Sequence, residues 1–290
     1  MAISLVIPTL NASRELLGLL SKIADQTCSV DEILIIDSSS DDDTVKLAES
    51  FPGVRVISIL RSEFDHGGTR HLAFEQTEGR IVLFMTQDAI PERTNYIEKL
   101  IKPFDDPGVA MTSGRQLAKP EARRFEQLVR AFNYPQTSSV RSAADIPKLG
   151  IKTFFASDVC SAYKREAYLA CGGFERPCGT NEDMLMAARF IHAGYKVAYA
   201  AEATVFHSHN LSFSEQYRRN REVGFFLEKH SEELGCPDEA GEGGALVRAV
   251  TSKLLSDREF AEIFAFGLDC AARLLGNRSG RIAARRSVLA

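Results

Sequence analysis

The sequence predicts an α/β protein with a mostly parallel sheet flanked by helices, followed by a C-terminal helical extension. Two observations predict this fold. Over the first half of the chain, short apolar runs alternate with stretches whose apolar residues recur at helical spacing, which is typical of strands joined by crossover helices. Near the end of the chain, apolar residues recur every three or four positions, as on one face of a long helix.

Four strands are predicted in the first half, from continuous apolar runs at residues 3–7, 32–36, 54–59 and 81–85. A helix is expected from Ser13, where leucine and isoleucine recur at helical spacing. Residues 40–43 can cap a second helix, and Gly79 is expected to end a third, since glycine often follows the last turn of a helix. Ligands bind beyond the carboxyl ends of the strands in such sheets. Polar residues directly after these strands are therefore the first candidates for a site.

The second half is predicted to add further strands and helices. Residues 119–153 are polar and contain three prolines, so we expect helix and loop here. Two short strands are expected at residues 197–200 and 204–206. Ser212 and Glu215 match a capping box, which predicts the start of a helix.

The end of the chain differs in composition from the rest. Residues 235–244 are rich in glycine, which predicts a linker; we expect a first domain over residues 1–234, and a linker with a helical extension over residues 235–290. The extension has an apolar helical face formed by Phe260, Ile263, Phe264, Leu268, Ala271 and Leu275. Its last twenty residues carry arginines and no acid. It could contact a second copy of the chain or an anionic membrane surface, or simply pack on the core.

The composition excludes several classes of function. A formal net charge of -4 argues against a nucleic-acid binder, which would carry a basic excess. No apolar run approaches the ~20 residues of a membrane span, and the first residues lack the basic region and cleavage site of a signal peptide. The six cysteines form no CxxC pair, so we expect reduced thiols and no zinc site. These features predict a cytoplasmic protein.

Two acids follow predicted strands directly. Asp37 ends the run ILIID, and Asp88 comes shortly after the run IVLFM. Divalent cations prefer carboxylate oxygens, so either acid could hold a metal against a phosphorylated ligand. A single aspartate in this position caps a loop about as often as it binds a metal. Two of them after neighbouring strands favour a site.

The segment 63–70 (EFDHGGTR) combines features of an anion-binding turn. Gly67 and Gly68 would let the backbone approach a ligand closely, and the start of a helix attracts anions. Arg70 could bind phosphate oxygens through two nitrogens. Taken alone, the two glycines would favour a simple tight turn over an anion-binding site.

A second group of candidates lies in the later half. Glu182 and Asp183 precede a predicted helix, where acids usually interact with the helix dipole. Either could instead act as a general base on a hydroxyl group. His207 and His209 follow a predicted strand, and His207 could complete a metal site, although most isolated histidines are structural.

Taken together, these stretches resemble the inverting glycosyltransferases of family 2, which have the Rossmann-like GT-A fold. The resemblance covers roughly residues 3 to 230, in the order that the family shows. Its features are Pro8, Thr9, Asn11, Asp37, Asp88, the Gly172-Gly173-Phe174 run, Glu182, Asp183 and His207.

Four segments resemble bacterial rhamnosyltransferases that use dTDP-L-rhamnose, namely FDHGGTR, TQDA, NED and HSHN. The family's Asp-x-Asp metal motif appears here as Thr86-Gln87-Asp88, so its first aspartate is missing. Gln216 and Arg219 faintly resemble the Gln-x-x-Arg-Trp motif of processive members. Because the tryptophan and membrane spans are missing, transfer of a single sugar is expected.

The resemblance implies a role for each site residue. Residues expected to bind the donor are Pro8, Thr9, Asn11, Asp37, Ser38, Asp65, His66, Gly67, Arg70 and Gln87. Asp88 and His207 would hold Mg²⁺ or Mn²⁺. Asp183 would be the catalytic base, with Asp158 and Glu182 near the acceptor.

The expected activity is metal-dependent transfer of one sugar, L-rhamnose from dTDP-L-rhamnose, with inversion. The acceptor would be a hydroxyl of a glycan or lipid-linked glycan in cell-surface polysaccharide synthesis, and the enzyme could be peripheral at the inner face of the membrane. Two alternatives remain open. One is a nucleotide-sugar-binding protein without transfer activity. The other is a nucleotidyltransferase, which would normally have a Gly-rich loop where this chain reads PTLNAS.

Overall fold

The computed structural model describes residues 2–235 and 240–288. The strands are β1 (Ile3–Thr9), β2 (Glu32–Asp37), β3 (Val54–Ser58), β4 (Ile81–Met85), β5 (Ile90–Pro91), β6 (Val109–Leu117), β7 (Ser139–Arg141), β8 (Cys160–Lys164) and β9 (Lys196–Phe206). The helices are α1 (Leu16–Ala24), α2 (Thr44–Glu49), α3 (His66–Glu75), α4 (Tyr96–Ile101), α5 (Arg124–Asn133), α6 (Ile146–Leu149), α7 (Arg165–Ala170), α8 (Glu182–His192), α9 (Phe213–Lys229), α10 (Ser231–Leu234), α11 (Ala240–Ser256) and α12 (Phe260–Val288).

Within the described residues, nine strands form one sheet in the order β3-β2-β1-β4-β8-β6-β9-β5, with β7 paired to β9. The pairs among β1, β2, β3 and β4 are parallel. The pairs β4/β8, β6/β8, β5/β9 and β7/β9 are antiparallel. The predicted α/β class is confirmed; the first four strands pair in parallel, and β8 is antiparallel to both of its neighbours, β4 and β6.

The parallel half of the sheet is buried because helices cover it. All five residues of β4 are buried. One face of α1 packs on the sheet through Leu16, Leu19, Leu20 and Ile23. Continuous apolar strands of this kind are expected where both faces of a parallel sheet are covered.

Three expectations about individual elements are wrong in detail. The two short strands predicted at residues 197–200 and 204–206 are one continuous strand, β9. Helix α3 ends at Glu75, before Gly79; a Cβ atom at Gly79 would lie 2.5 Å from the backbone nitrogen of Ser4, so this glycine allows close contact with β1. The polar stretch 119–153 contains the strand β7 besides helix and loop.

The structure divides into two compact units. The first comprises Met1–Gln116, Gln136–Pro147 and Thr153–His207, and the second Leu117–Pro135, Lys148–Lys152 and Ser208–Ala290. The expected boundary between residues 234 and 235 stays a prediction. Of the predicted linker 235–244, residues 236–239 lie outside the described part, and helix α11 has begun by Ala240.

In the second unit, α9 and α12 pack together unusually closely. A Cβ atom at Gly280 would overlap the carbonyl oxygen of Arg221, and one at Gly276 would overlap that of Tyr217. Gly224 is the corresponding position on α9 and faces α12. Glycine is required at these positions because the two backbones are in direct contact.

The apolar face predicted for the extension faces solvent. Phe260 and Phe264 are 66% and 72% exposed, and Leu268 and Leu275 are also exposed. Phe266 instead lies in an apolar cluster with residues of α5 and α11. The expectation of one apolar face was right about helix formation but does not identify the side that packs. No helix among residues 2–235 and 240–288 is both long enough and apolar enough to cross a membrane.

Candidate active site

The carboxyl ends of β1 and β2 form the first part of the site. The two strands pair in parallel with Thr9 opposite Asp37. Asp37 is buried, and its carboxylate accepts hydrogen bonds from the Thr9 hydroxyl at 3.0 Å and from the Ser40 hydroxyl at 2.6 Å. The hydroxyl of Ser38 is buried and has no hydrogen-bond partner among the described residues. A buried polar atom of this kind fits a site that a ligand completes.

The loops after β1 and β4 are held together by side-chain hydrogen bonds. The Gln87 amide accepts a bond from Leu10 N at 2.8 Å and donates one to Leu10 O at 3.1 Å. Asn11 has a positive φ of 51° and accepts a bond from Asp41 N through its side chain. These contacts fix the loops at the end of the sheet, beside the half-buried Pro8.

Asp88 and His207 are brought together by strand pairing. Strands β5 and β9 pair antiparallel with Ile90 opposite Phe206, so the residues just before β5 and just after β9 meet at the same end. The His207 Nε2 atom lies 3.5 Å from the Asp88 Oδ2 atom. His207 is nearly buried, and Asp88 is 18% exposed.

The hydrogen bonds of His207 favour a metal-binding tautomer. Its Nδ1 atom lies 3.0 Å from Oε1 of Gln116, whose amide nitrogen donates to the Ser157 hydroxyl at 2.9 Å. With this orientation of the Gln116 amide its oxygen accepts the Nδ1 proton, and Nε2 is the ring nitrogen that faces Asp88. A carboxylate oxygen and an imidazole nitrogen facing each other fit a divalent cation.

The start of α3 is committed to internal contacts. The Asp65 carboxylate caps the helix by accepting from Gly68 N at 2.5 Å, and it also accepts from Cys178 N at 2.8 Å. A Cβ atom at Gly67 would overlap the carbonyl oxygen of Glu175. Gly67 therefore allows the helix start to approach the segment 175–178. The expected donor-binding roles of Asp65 and Gly67 stay predictions.

Arg70 lies in a buried cluster of acids. Its Nη1 atom is 3.0 Å from Glu182 Oε1, and its Nε atom is 3.6 Å from Asp158 Oδ2. Arg70, Asp158 and Glu182 are each at most 4% exposed. Nη1 also lies 3.2 Å from the Nδ1 atom of His66. Burial raises the pKa of Glu182 to about 8 and that of Asp158 above its usual range, although the Arg70 charge opposes both shifts.

Asp183 is the second residue of α8, directly after Glu182, and is only half-buried. Asn181, with a left-handed φ of 58°, precedes the first helical residues. The Asp183 carboxylate accepts from Asp158 N at 3.0 Å and from Met184 N at 2.7 Å. Burial, followed by the nearby Asp158 charge, raises its pKa to about 7. A carboxylate that is accessible and titrates near neutrality is suited to act as a general base.

Several residues that shape the site were missed by sequence reasoning. The Ser161 and Tyr163 hydroxyls both donate to Asp158 Oδ1 at 2.6 Å. The two residues are two positions apart in β8 and so lie on one face of the strand. Gln116 is a buried polar residue near the end of β6. A glutamine at the end of a strand was the signal in the sequence that could have identified it.

The comparisons with known proteins agree with this geometry. Residues 4–171 match the family described as "Glycosyl transferase family 2". The chain belongs to this glycosyltransferase family. The predicted family and its fold are thus confirmed, and the alternative of a nucleotidyltransferase is excluded.

Two curated relatives of this glycosyltransferase come from Salmonella. The O-antigen chain rhamnosyltransferase RfbN of Salmonella typhimurium is 43% identical over 227 residues, which cover 78% of the chain and 72% of the relative. The O-antigen chain rhamnosyltransferase WbaN of Salmonella anatum is 42% identical over 228 residues, covering 77% and 71%.

Solved glycosyltransferase structures show the same fold. The mannosyltransferase PcManGT from Pyrobaculum calidifontis, in complex with GDP-Man and Mn²⁺, aligns with a TM-score of 0.62 at 18% identity, over 99% of this chain and 86% of that one. Staphylococcus aureus TarS 1-349 in complex with UDP aligns with a TM-score of 0.56 at 15% identity, over 99% and 92%.

Proposed function

We propose that this glycosyltransferase transfers L-rhamnose from dTDP-L-rhamnose, with inversion, to a hydroxyl of a glycan or lipid-linked glycan in cell-surface polysaccharide synthesis. The observation that carries this proposal is the 43% identity to an O-antigen chain rhamnosyltransferase over 78% of the chain. The ordered site at the carboxyl ends of the strands supports it, since ligands bind there in such sheets.

The donor is proposed to bind at the ends of β1 and β2. Asp37 and Ser38 would contact the nucleoside, and the unpartnered Ser38 hydroxyl supports this role. Pro8, Thr9, Asn11 and Gln87 would shape the same region, while Asp65, His66 and Gly67 would lie toward the diphosphate and sugar.

Asp88 and His207 are proposed to hold Mg²⁺ or Mn²⁺. The facing oxygen and nitrogen atoms, 3.5 Å apart, support the proposal. When bound, such a cation neutralises charge on the diphosphate as it leaves. The first aspartate of the usual Asp-x-Asp motif is Thr86 in this chain. His207 would therefore be the ligand that joins Asp88 at the cation.

Asp183 is proposed to deprotonate the acceptor hydroxyl. Its Oδ2 atom is held by the Asp158 backbone, and the raised pKa increases its basicity toward a hydroxyl proton. The acceptor oxygen would then attack the anomeric carbon from the face opposite the leaving diphosphate, which inverts the configuration. Asp158 and Glu182 would support the acceptor side of the site.

A donor screen tests this function. We expect dTDP-L-rhamnose with Mn²⁺ to give the largest thermal shift and a slow donor hydrolysis or transfer. At one hundred times Kd the stabilisation should be about 2.7 kcal/mol. A larger shift or faster turnover with UDP-glucose, UDP-galactose or GDP-mannose would contradict the choice of donor. Binding without any hydrolysis or transfer would favour the alternative of a nucleotide-sugar-binding protein.

The remaining partners are also proposals. The chain would act in the cytoplasm on an acceptor at the inner face of the membrane, without nucleic acid. Its C-terminal helix would contact an anionic membrane surface or a second copy of the chain. The exposed apolar side chains of α12 support contact with some partner.

A further inference from the structure

The solvent-facing side of α12 carries a row of large apolar side chains. We name it the α12 stripe: Phe260, Phe264, Leu268, Leu275 and Ile282, all exposed. At 100° per residue these positions fall within a sector of about 80°, and at 1.5 Å per residue the stripe is about 33 Å long. The opposite side of the helix packs on α9. A continuous exposed stripe of this size indicates an interaction surface.

The charges near the stripe are all of one sign. Arg278 and Arg286 fall in the same sector, are exposed, and form no ion pair within the described residues. The acids of α12, Glu262 and Asp269, lie on the other side of the helix, where each is paired with an arginine. The stripe therefore combines apolar and basic side chains without an acid.

We propose that the α12 stripe docks on the surface of an anionic bilayer. Its phenylalanine and leucine side chains would enter the boundary between headgroups and acyl chains, while Arg278 and Arg286 pair with lipid phosphates. A second copy fits less well. A symmetric contact along the stripe would bury both arginines where the stripe has no acid to pair with them.

Co-sedimentation of the full chain with vesicles tests the docking. We expect binding to vesicles of phosphatidylcholine with phosphatidylglycerol and little binding to phosphatidylcholine alone. Phe264→Ser with Leu268→Ser should abolish it. Each of Arg278→Gln and Arg286→Gln should weaken it about fivefold, the effect of about 1 kcal/mol per basic residue near an anionic surface.

Matched controls separate the stripe from general changes of surface. Leu169→Ser removes an equally exposed leucine outside α12, and Arg218→Gln removes an exposed arginine of α9; both should leave vesicle binding unchanged. Light scattering without lipid reports the second copy. A dimer that Phe264→Ser dissociates, together with no binding to anionic vesicles, would overturn the proposal. Unchanged binding by the serine variants would also overturn it.

A different observation concerns Arg70 in the first unit. Its guanidinium is 4% exposed and faces two buried carboxylates, those of Asp158 and Glu182. The Glu182 carboxylate lies 3.0 Å from Nη1 and the Asp158 carboxylate 3.6 Å from Nε, so the guanidinium faces these acids. Asp158 in turn donates its backbone N–H to Asp183 Oδ2. The guanidinium is thus linked to the proposed base through one residue.

We infer that Arg70 is a positioning residue, which holds Asp158 and Glu182 so that the Asp158 backbone fixes the carboxylate of Asp183. This inference rests on the proposed role of Asp183. The charged and titratable groups that act on Asp183 come from five elements or loops: Arg70, Asp158, Tyr163, Cys178 and Glu182. Arg70 is the cation in this group, so its removal should raise the pKa of the acids.

The variant Arg70→Lys distinguishes positioning from donor binding. We expect donor Kd, measured calorimetrically with Mn²⁺, to change less than twofold, while kcat falls at least tenfold. Arg70→Gln removes the positive charge as well, so it should also move the acidic limb of the pH profile to higher pH, and by more than Arg70→Lys, which keeps a cation. A weaker donor Kd with unchanged kcat and pH profile would overturn the inference and restore the diphosphate role.

Two further variants keep the test informative if Arg70→Lys unfolds. Glu182→Gln removes the other end of the ion pair and should also lower kcat without changing donor Kd. Arg165→Lys changes a half-buried arginine that binds backbone oxygens of Phe74 and Gly79; it should lower Tm without moving the pH profile. Asp183→Asn tests the proposed base separately. If that variant is fully active, Asp183 is not the base and the proposed mechanism fails, whatever the donor Kd of Arg70→Lys.

Discussion

The Nδ1 atom of His207 lies 3.0 Å from Oε1 of Gln116, and this contact determines which imidazole nitrogen faces Asp88. Hydrogen bonds to the second nitrogen of a metal-binding histidine commonly fix its tautomer and orientation. In this chain the partner comes from the middle of the sheet, in β6. The proposed metal site thus depends on a strand that contributes no ligand.

Replacing Gln116 by Leu should weaken the binding of the metal ion without removing one of its ligands. The side chain keeps a similar size but no longer accepts the His207 proton, so Mn²⁺ affinity should fall about 10- to 100-fold. Titration of Mn²⁺ against donor binding measures this. Gln127→Leu, a glutamine of α5 in the second unit, is the control. Equal Mn²⁺ affinity of Gln116→Leu and the parent would contradict the role of the hydrogen bond.

Asp88→Asn tests the metal itself. The substitution keeps the shape of the side chain but removes the anionic oxygen, so cation-dependent donor affinity should fall sharply. Isothermal titration with and without Mn²⁺ gives the difference. Full activity of the parent enzyme in excess EDTA would refute the metal assignment.

Asp183→Asn should remove most of the transfer activity. A general base contributes a factor of about 10²–10⁴, so the variant should lose roughly 3–5 kcal/mol of transition-state stabilisation while donor binding changes little. Glu182→Gln should cost less in kcat, because the Glu182 carboxylate is buried against Arg70. Near-normal transfer by Asp183→Asn at neutral pH would place the base elsewhere, with Asp158 as the next candidate.

The pKa of Asp183 predicts the pH dependence of both rate and stability. The base must be ionised, so kcat/KM should rise with pH through about 7. Because the folded pKa lies above the ordinary value of 3.8, the folded state binds more protons between these values. The free energy of unfolding contributed by this group therefore falls as pH rises from about 4 to 7. Asp183→Asn should gain Tm relative to the parent at pH 8 more than at pH 5.

Two glycines of α12 should respond in opposite ways to alanine. Gly280→Ala would place a Cβ atom against the backbone of Arg221 and force α9 and α12 apart, which typically costs 1–3 kcal/mol, on the order of other overpacked sites. Gly267 has no atom near the Cβ position, so Gly267→Ala should gain roughly 0.5–1 kcal/mol from helix propensity. Thermal melts of both variants check the pair; equal effects would contradict the close packing.

Local pattern predicts much of the first unit. Strand β4 has the predicted bounds, and the capping box of Ser212 and Glu215 is present. Strand β9 was predicted as two pieces because Glu202 interrupts the apolar run. One exposed polar residue does not end a strand, since neighbouring strands still pair with its backbone.

Long-range pairing explains what the sequence could not show. Arg70 carries the local signals of a phosphate-binding helix start, but its partners Asp158 and Glu182 are far along the chain. The solvent-facing side of α12 could not be predicted either, because apolar residues occur around most of that helix. Its packed side is the side of Gly276 and Gly280, which contact the backbone of α9. Because glycine has no apolar side chain, a hydrophobic pattern does not mark this side as buried.

The register of β5 against β9 has a consequence for how this site can change. Asp88 and His207 meet because Ile90 pairs with Phe206. Side chains alternate between the two faces of a strand, so inserting or deleting one residue within the paired segments would turn the histidine to the opposite face. Substitutions can tune the metal ligands one at a time, but length changes in this short ladder remove the pair at once. Insertions and deletions in relatives of this chain should therefore be rare from Asp88 through Pro91, and from Val205 through His207.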